Sequence, residues 1–496
     1  MKLIKVINIK IALLSTLLLA TACSETLDLQ PESEIGVGEF YQTPEEVNLA
    51  VIAIYSSLRG MQNREWMLTE LRSDNTFMNP SSTETKDLPV REIDRHVQQS
   101  QNVYLQEYWR ACYRTINQAN VVLQNLDVVS DPVQRNTYEG EARFLRAHAY
   151  FNLVRLWGGV FLVDRPISGS EAKTMDRSPQ SAVYEFLIND FRLAAQLLPP
   201  VQGGNNLGRV TTDAAKTLLG KALLTRKAGG DLAEARTVLS EVVGGTHGLQ
   251  SSYASVFSIG NEYNNEILFA VRYQSGGVGL GSPHPNFFAP LQSDNYVVFG
   301  NGDGLNVPTE SISAAYNGDP RKNVSMADTW IGFQNTVHDD RHIVKYNGQF
   351  NVVDDGGNDW IITRYADALL LLAEAINEEG GAPTTEALGY LNQVRTRAIP
   401  GGALQFADVA TYYDFKIALE NERRREFAFE NHRWFDLVRT GRVEVVMSQH
   451  FATEPQYNDP DHPAFSTGPL EHDQILLPIP QYEIDLNPNI AQNIGY

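Results

Sequence analysis

Hydrophobic positions along most of this chain recur at intervals of three and four residues, the spacing of one helical face. They predict a first helix over Pro44–Leu58, with Thr43 as its cap, Glu45 and Glu46 in its first turn and Gly60 ending it. A second helix is predicted over Gln101–Asp127, with Tyr104, Tyr108, Ile116, Ala119 and Leu123 at helical spacings. Asp131-Pro132 opens a third, which runs to Trp157 and stops at Gly158-Gly159. Ala142, Leu145, Ala149, Asn152 and Leu156 lie on one side of it, and Phe144, His148, Phe151 and Arg155 on another, so it is packed on more than one side. His148 there reads as a core histidine rather than a metal ligand. Further helices are predicted over Pro179–Leu198, Thr212–Ala228, Asp231–Val243, Thr363–Glu379, Thr385–Ala398, Tyr412–Phe429 and His432–Arg442. Helix pairs of this size joined by short turns are the units of tetratricopeptide-like arrays.

The pattern changes between about 244 and 360. Gly, Asn, Asp, Ser and aromatic residues become dense and helical spacing fades. Glu266–Val271 reads as a strand, and His342–Tyr346 as another. The stretches 274–306 and 320–360 are long and loop-rich, the kind of segment that carries function. The last segment, Ile475–Tyr496, is extended and punctuated by proline, and is predicted to wrap over the helical body.

Composition narrows the classes. The 496 residues are 43% hydrophobic and 20% charged, which supplies an ample globular core. Length alone favours two or more domains. With 60 acidic against 40 basic residues the net charge is −20, and no basic footprint for nucleic acid is visible. Two cysteines, Cys23 and Cys112, exclude a disulfide framework, and Cys112 lies in a helical stretch as a small core residue. Residues 1–22 have the form of a signal peptide: Lys2, Lys5 and Lys10, then an apolar run from Ile11 to Ala20, too short to anchor in a bilayer. It ends in Ala20-Thr21-Ala22-Cys23, which resembles a lipobox and makes Cys23 the candidate lipidation site. Lipid chains hold a soluble domain at a membrane without a spanning helix.

The most distinctive stretch is ERRREFAFENHRWFDLVRTG, Glu422 to Gly441. Arg423, Arg424 and Arg425 fan out around a helix at about 100° per residue, so they cannot share one solvated stripe. A buried charge requires a partner, and Glu420, Glu422, Glu426, Glu430 and Asp436 are the candidates. A structural ion-pair network is the preferred reading over an anion site. This stretch resembles the signature of the SusD/RagB family of outer-membrane nutrient-binding lipoproteins. EARFLRAHAYFNLVRLWGG from Glu141, TRYADALLLLAEAIN from Thr363, ALGYLNQVRTRA from Ala387, LLPIPQYEIDLNPNIAQNIGY from Leu476 and the mature start at Cys23 match that family in order.

The resemblance implies one SusD-like unit over 23–496, mostly α, with tetratricopeptide-like helix pairs, a loop-rich insertion at about 244–360 and a few short strands. It implies a surface lipoprotein of a Gram-negative outer membrane. Such a protein captures an oligosaccharide by hinged closure and passes it to a SusC-like TonB-dependent β-barrel transporter. No cofactor and no covalent chemistry are expected. His338-Asp339-Asp340-Arg341-His342 reads as a solvated turn rather than a metal site. Asp354-Asp355-Gly356-Gly357-Asn358-Asp359 lacks the spacing of a calcium-hand loop, although it leaves a weak cation site open. Gly277-Val278-Gly279-Leu280-Gly281 lacks the strand–turn–helix context of a dinucleotide fingerprint. Neither a nucleophile elbow nor an HExxH is present, which leaves a lipid-anchored glycan hydrolase and a peptide-binding helical scaffold as the competing readings. A sugar site pairs flat aromatics with Asn, Asp or Arg. The candidates are Trp330 and Trp360 in the loop-rich region, Asn295 and Tyr296 in its other long loop, and Arg72, Asp74, Asn75 and Phe77 near the turn after the first helix.

Overall fold

Helix α1 (Pro44–Leu68) opens with a reciprocal cap: the Glu46 N–H donates to Thr43 Oγ1 at 3.3 Å, and the Glu46 carboxylate accepts the Thr43 N–H at 2.9 Å. Gly60 does not end this helix. Met61, Trp66 and Leu68 continue its buried face, and that burial outweighs the roughly 1 kcal/mol that a mid-helix glycine costs. The computed structural model describes residues 40–81, 87–348, 350–457 and 467–496. After α1 follow α2 (Val103–Gln124), α3 (Pro132–Trp157), α4 (Gln180–Leu197), α5 (Thr212–Arg226), α6 (Asp231–Val243), α7 (Tyr365–Gly380) and α8 (Thr385–Ala398). Each packs on the next in sequence, giving four pairs in a row. Gly220 of α5 lets α6 approach closely, since a Cβ there would lie 2.7 Å from Leu239 Cγ. Helix α6 packs directly on α7, so the array is continuous although residues 244–364 intervene.

The short strands belong mainly to that insertion, and all pair antiparallel. Thr76–Phe77 (β1) pairs with Val307–Pro308 (β3), and Ile267–Val271 (β2) with Trp360–Arg364 (β8). Met326–Ala327 (β4) pairs with His342–Ile343 (β7), and Trp330–Ile331 (β5) with Val337–His338 (β6). The β2–β8 pair clips the two ends of the insertion together at the start of α7. Thr363 and Arg364 therefore end a strand rather than begin a helix, and the strand predicted to reach Tyr346 is only His342–Ile343. Helices α9 (Tyr412–Glu426), α10 (Arg433–Arg439) and α11 (Val443–Thr453) complete the body. The final segment wraps over it as expected. The Leu477 N–H donates to the Leu156 carbonyl at 2.8 Å, and Trp157 Nε1 donates to the Pro478 carbonyl at 2.9 Å. Cys112 is a buried free thiol, and His148 is buried in α3, its pKa pushed down to about 3 by desolvation and by Arg155 and Lys221.

The signature stretch is a buried ion-pair hub. Arg364, at the end of β8, donates to Glu266 at 2.8 Å, Glu426 at 2.6 Å and Glu430 at 3.0 Å. Arg321 reaches Glu422 and Glu426, each at 2.7 Å, and Lys345 reaches Glu430 at 2.9 Å. Arg423 joins Asp367 and Asp436, each at 2.8 Å, and Lys221 joins Asp367 at 2.6 Å. Between α9 and α10 the chain turns through Phe429 and Asn431 at φ 68° and 64°, a left-handed conformation that costs non-glycine residues energy. The buried carboxylate of Glu70 accepts both of their N–H groups, at 3.0 and 3.1 Å, and so holds the turn.

This hub makes stability pH-dependent in a defined direction. Burial pushes the Glu426 carboxyl up, but Arg397, Arg364 and Arg321 together hold it well below the usual range. Asp367 and Asp436 are held low by Lys221, Arg423 and Arg439 against the same desolvation. A depressed folded pKa stabilises above the unfolded value and is lost as pH falls beneath it. Thermal melts should therefore drop steeply below about pH 4, in the range where carboxylates ordinarily protonate. Glu426→Gln should cost about 3–5 kcal/mol at neutral pH by urea unfolding and should flatten the acid limb.

Candidate functional site

The structure separates the eight candidate ligand residues into two groups. Arg72, Asp74, Asn75, Phe77 and Trp360 are withdrawn from solvent and committed to the fold. The Arg72 guanidinium lies 4.1 Å over the Trp434 ring and donates to the Gln474 and Ile475 carbonyls at 2.7 and 3.1 Å. Arg433 grips Asp74 with two bonds of 2.7 and 2.9 Å. Asn75 accepts from Arg424 at 2.9 Å and donates to Glu70 at 2.9 Å. The turn after the first helix is thus the docking partner of the signature stretch. Phe77 is buried on β1, which pairs with β3, and Trp360 is buried against His284 and Phe288. The Trp360 ring stacks on Tyr346 at 4.7 Å and 12°.

Asn295, Tyr296 and Trp330 remain at the surface. Asn295 shapes its own loop: its Oδ1 accepts the Gly300 N–H at 2.8 Å and its Nδ2 donates to Asp294 at 3.1 Å. Tyr296, 49% exposed, comes within 6.3 Å of Trp330, ring centre to ring centre. Trp330 sits on a β-hairpin built from two short ladders, β4–β7 at the base and β5–β6 above. Directly across from it is His338, with the rings 3.9 Å apart and nearly parallel at 6°. This cross-strand pair fixes the tryptophan plane, and Trp330 Nε1 donates to Asp340 at 3.2 Å. At the tip, Gln334 and Asn335 take φ 54° and 61° to close the turn, and Phe333 is 68% exposed. Asp294, Asp339 and Asp340 lie exposed along the loop and hairpin that carry the rings.

The sequence singled out Tyr296 and Trp330 but missed His338, Phe333 and Asp340. Two-residue ladders are too short to leave a period-two pattern, so no signal marked His338 as the partner of Trp330. In the other aspartate-rich run, Asp355 accepts the Gly276 and Gly277 N–H groups at 2.7 and 2.9 Å, and Asp359 pairs with Arg272. Among the described residues, no cluster of three or more His, Cys, Asp or Glu is placed to hold a metal ion, and no helix is long and apolar enough to cross a membrane.

Comparison with known proteins gives this architecture its class. The sequence profile of the SusD family matches residues 265–496, and a second profile, described as starch-binding and associating with outer membrane, matches residues 26–224. The chain belongs to the SusD/RagB family. A SusD-like protein of Formosa agariphila is 26% identical over 534 aligned positions, covering 96% of this chain and 97% of that protein. The crystal structure of a SusD homolog from Bacteroides thetaiotaomicron matches with a TM-score of 0.80 at 22% identity, over 94% of this chain and 100% of that one. Surface glycan-binding protein A from the same organism, solved in complex with laminarihexaose, matches with a TM-score of 0.76 at 21% identity, over 91% of this chain and 99% of that one. The second profile and the laminarihexaose-bound neighbour are described by carbohydrate binding rather than by hydrolysis.

The two groups of residues should respond differently to truncation. Trp360→Ala removes a buried ring and should cost about 3–5 kcal/mol of stability, measured by denaturant unfolding. The protein that remains folded should keep its ligand affinity.

Proposed function

We propose that this protein is a cell-surface glycan-binding lipoprotein. It captures an oligosaccharide on the exposed hairpin and delivers it to a SusC-like TonB-dependent β-barrel in the outer membrane. The observation that carries the binding role is the surface cluster of Tyr296, Trp330 and His338. Sugar rings offer C–H faces that lie on flat aromatic surfaces, while their hydroxyls need directional polar partners. Trp330, locked by His338 behind it and Asp340 at its edge, is a preorganised platform, and Tyr296 extends it. The exposed carboxylates of Asp294, Asp339 and Asp340 accept hydrogen bonds from hydroxyls and repel anionic groups, so the preferred glycan is neutral. Similarity to proteins named for binding laminarin or laminarihexaose supports the same class of ligand.

The anchor in this reading is Cys23, which lies outside the described residues, as does the signal peptide over 1–22. The unit that follows, 23–496, acts as one receptor with its insertion at about 244–360. Transfer to the barrel rests on family membership and on the profile description of outer-membrane association.

Three measurements test the proposal. A glycan array followed by calorimetry identifies the ligand. On it, Trp330→Ala should weaken binding by on the order of 1–4 kcal/mol with the melting temperature nearly unchanged, and parental affinity in both Trp330→Ala and Tyr296→Ala would remove the site assignment. Mass spectrometry of protein from native membranes should find an acylated Cys23 as the first residue. Mild-detergent pulldown should recover a large β-barrel through an interface at or above the roughly 1,200–2,000 Å² of stable complexes.

A further inference from the structure

A concave feature elsewhere on the protein shares no residue with the hairpin site. It is a cleft of about 220 Å³ between strand β2, the loop over 200–211 and the loop over 246–265. Its rim carries Tyr263, 54% exposed, with the Arg272 guanidinium 3.9 Å over the ring. Gly208, at φ +87°, backs this pair so closely that a Cβ there would lie 3.2 Å from Tyr263 Cε1. The cation thus holds one face of the ring, which is still about half exposed. Four consecutive residues of β2, 267–270, line the cleft. Side chains alternate along a strand, and Phe269 points away into the core against Phe144. The cleft must therefore see the strand edge-on and meet its peptide groups. Among the described residues β2 is paired only with β8.

The charges around the cleft are already matched. Arg209 pairs with Glu141 at 3.3 Å, Arg272 with Asp359 and with Glu262 at 3.7 Å, and His247 approaches Asp213 at 3.5 Å. A charged ligand would find no unspent counter-charge. What the lining offers is a flat aromatic face, the apolar Leu207 and Val201, and the polar groups of Thr246, Asn265 and the strand edge. The volume lies below the roughly 300–1,000 Å³ of pockets for drug-sized ligands, which limits the occupant to about one ring. We infer that this cleft is a second sugar site, independent of the hairpin, that takes a single neutral hexose-sized ring. It has the ligand chemistry of the proposed function but none of its residues.

Saturation-transfer NMR on the mature protein with glucose, galactose and mannose, and with glucuronate as the charged control, tests this. At least one neutral hexose should give a signal that survives Trp330→Ala. In Tyr263→Ala, which removes the ledge, and in Leu207→Trp, which fills the cleft, its affinity should fall at least tenfold. Both positions are about half exposed, and circular dichroism melts verify that the variants fold. Absence of signal for all three hexoses, equal binding of glucuronate, or a signal abolished by Trp330→Ala and unaffected by either cleft variant would overturn the inference. Failure of the hairpin reading would show separately, as oligosaccharide binding that Trp330→Ala leaves intact.

Discussion

The fold depends on one constraint: the guanidinium of Arg364 is buried and must be surrounded by carboxylates. An isolated buried charge is too costly to keep, so Glu266, Glu426 and Glu430 have to converge on it. These three residues come from the position just before β2, the end of α9 and the turn that follows α9. Satisfying one cation therefore fixes the insertion, the helical array and the signature turn relative to one another. Arg321 and Lys345 extend the arrangement into the loop-rich region. Such networks are weak evidence of net stability, because hydrophobic replacements of similar volume can do as well. Their effect here is positional: regular packing does not register a long irregular insertion, whereas directional ion pairs do.

That division of labour separates a regular scaffold from the loops it carries. Helices α1 to α8 form a continuous row that the insertion leaves undisturbed, since its two ends leave and return through the β2–β8 pair. The loops inside that clip are free to vary as long as Glu266, Arg321, Lys345 and Arg364 keep their partners. The hairpin bearing Trp330 is held at its base by the β4–β7 ladder and by Arg341, which donates to the Pro308 carbonyl at 2.9 Å. A rigid base under this partly exposed ring holds it in one orientation.

The helical body was legible in the sequence because its signals are local. Asp231–Val243 and Thr385–Ala398 begin and end where their caps and turns predict. Gly60 misled because a local propensity was outweighed by packing on α2. The candidate surface cluster was partly legible. Trp330 and Tyr296 stood out as aromatics that no helix required, and both are at the surface. Trp360 and Phe77 looked equivalent by that criterion, yet both are buried, Trp360 against His284, Phe288 and Tyr346 and Phe77 on a strand paired with β3. Arg72, Asp74 and Asn75 had the residue types of a sugar site, but the same types serve a buried clamp. Only the location of Arg424, Arg433 and Trp434 distinguishes the two, and sequence spacing does not carry that location.

The C-terminal wrap has a consequence for the order of assembly. Arg72 near the beginning of the fold finds its carbonyl partners at Gln474 and Ile475, about 400 positions later. Helix α3 is sealed by Leu477 and Pro478, and Trp109 of α2 donates to Glu483 at 2.8 Å. The earliest helices to leave the ribosome are thus the ones that wait for the last residues before they can close. A chain of this kind cannot complete the packing of α2 and α3 until its last residues are in place.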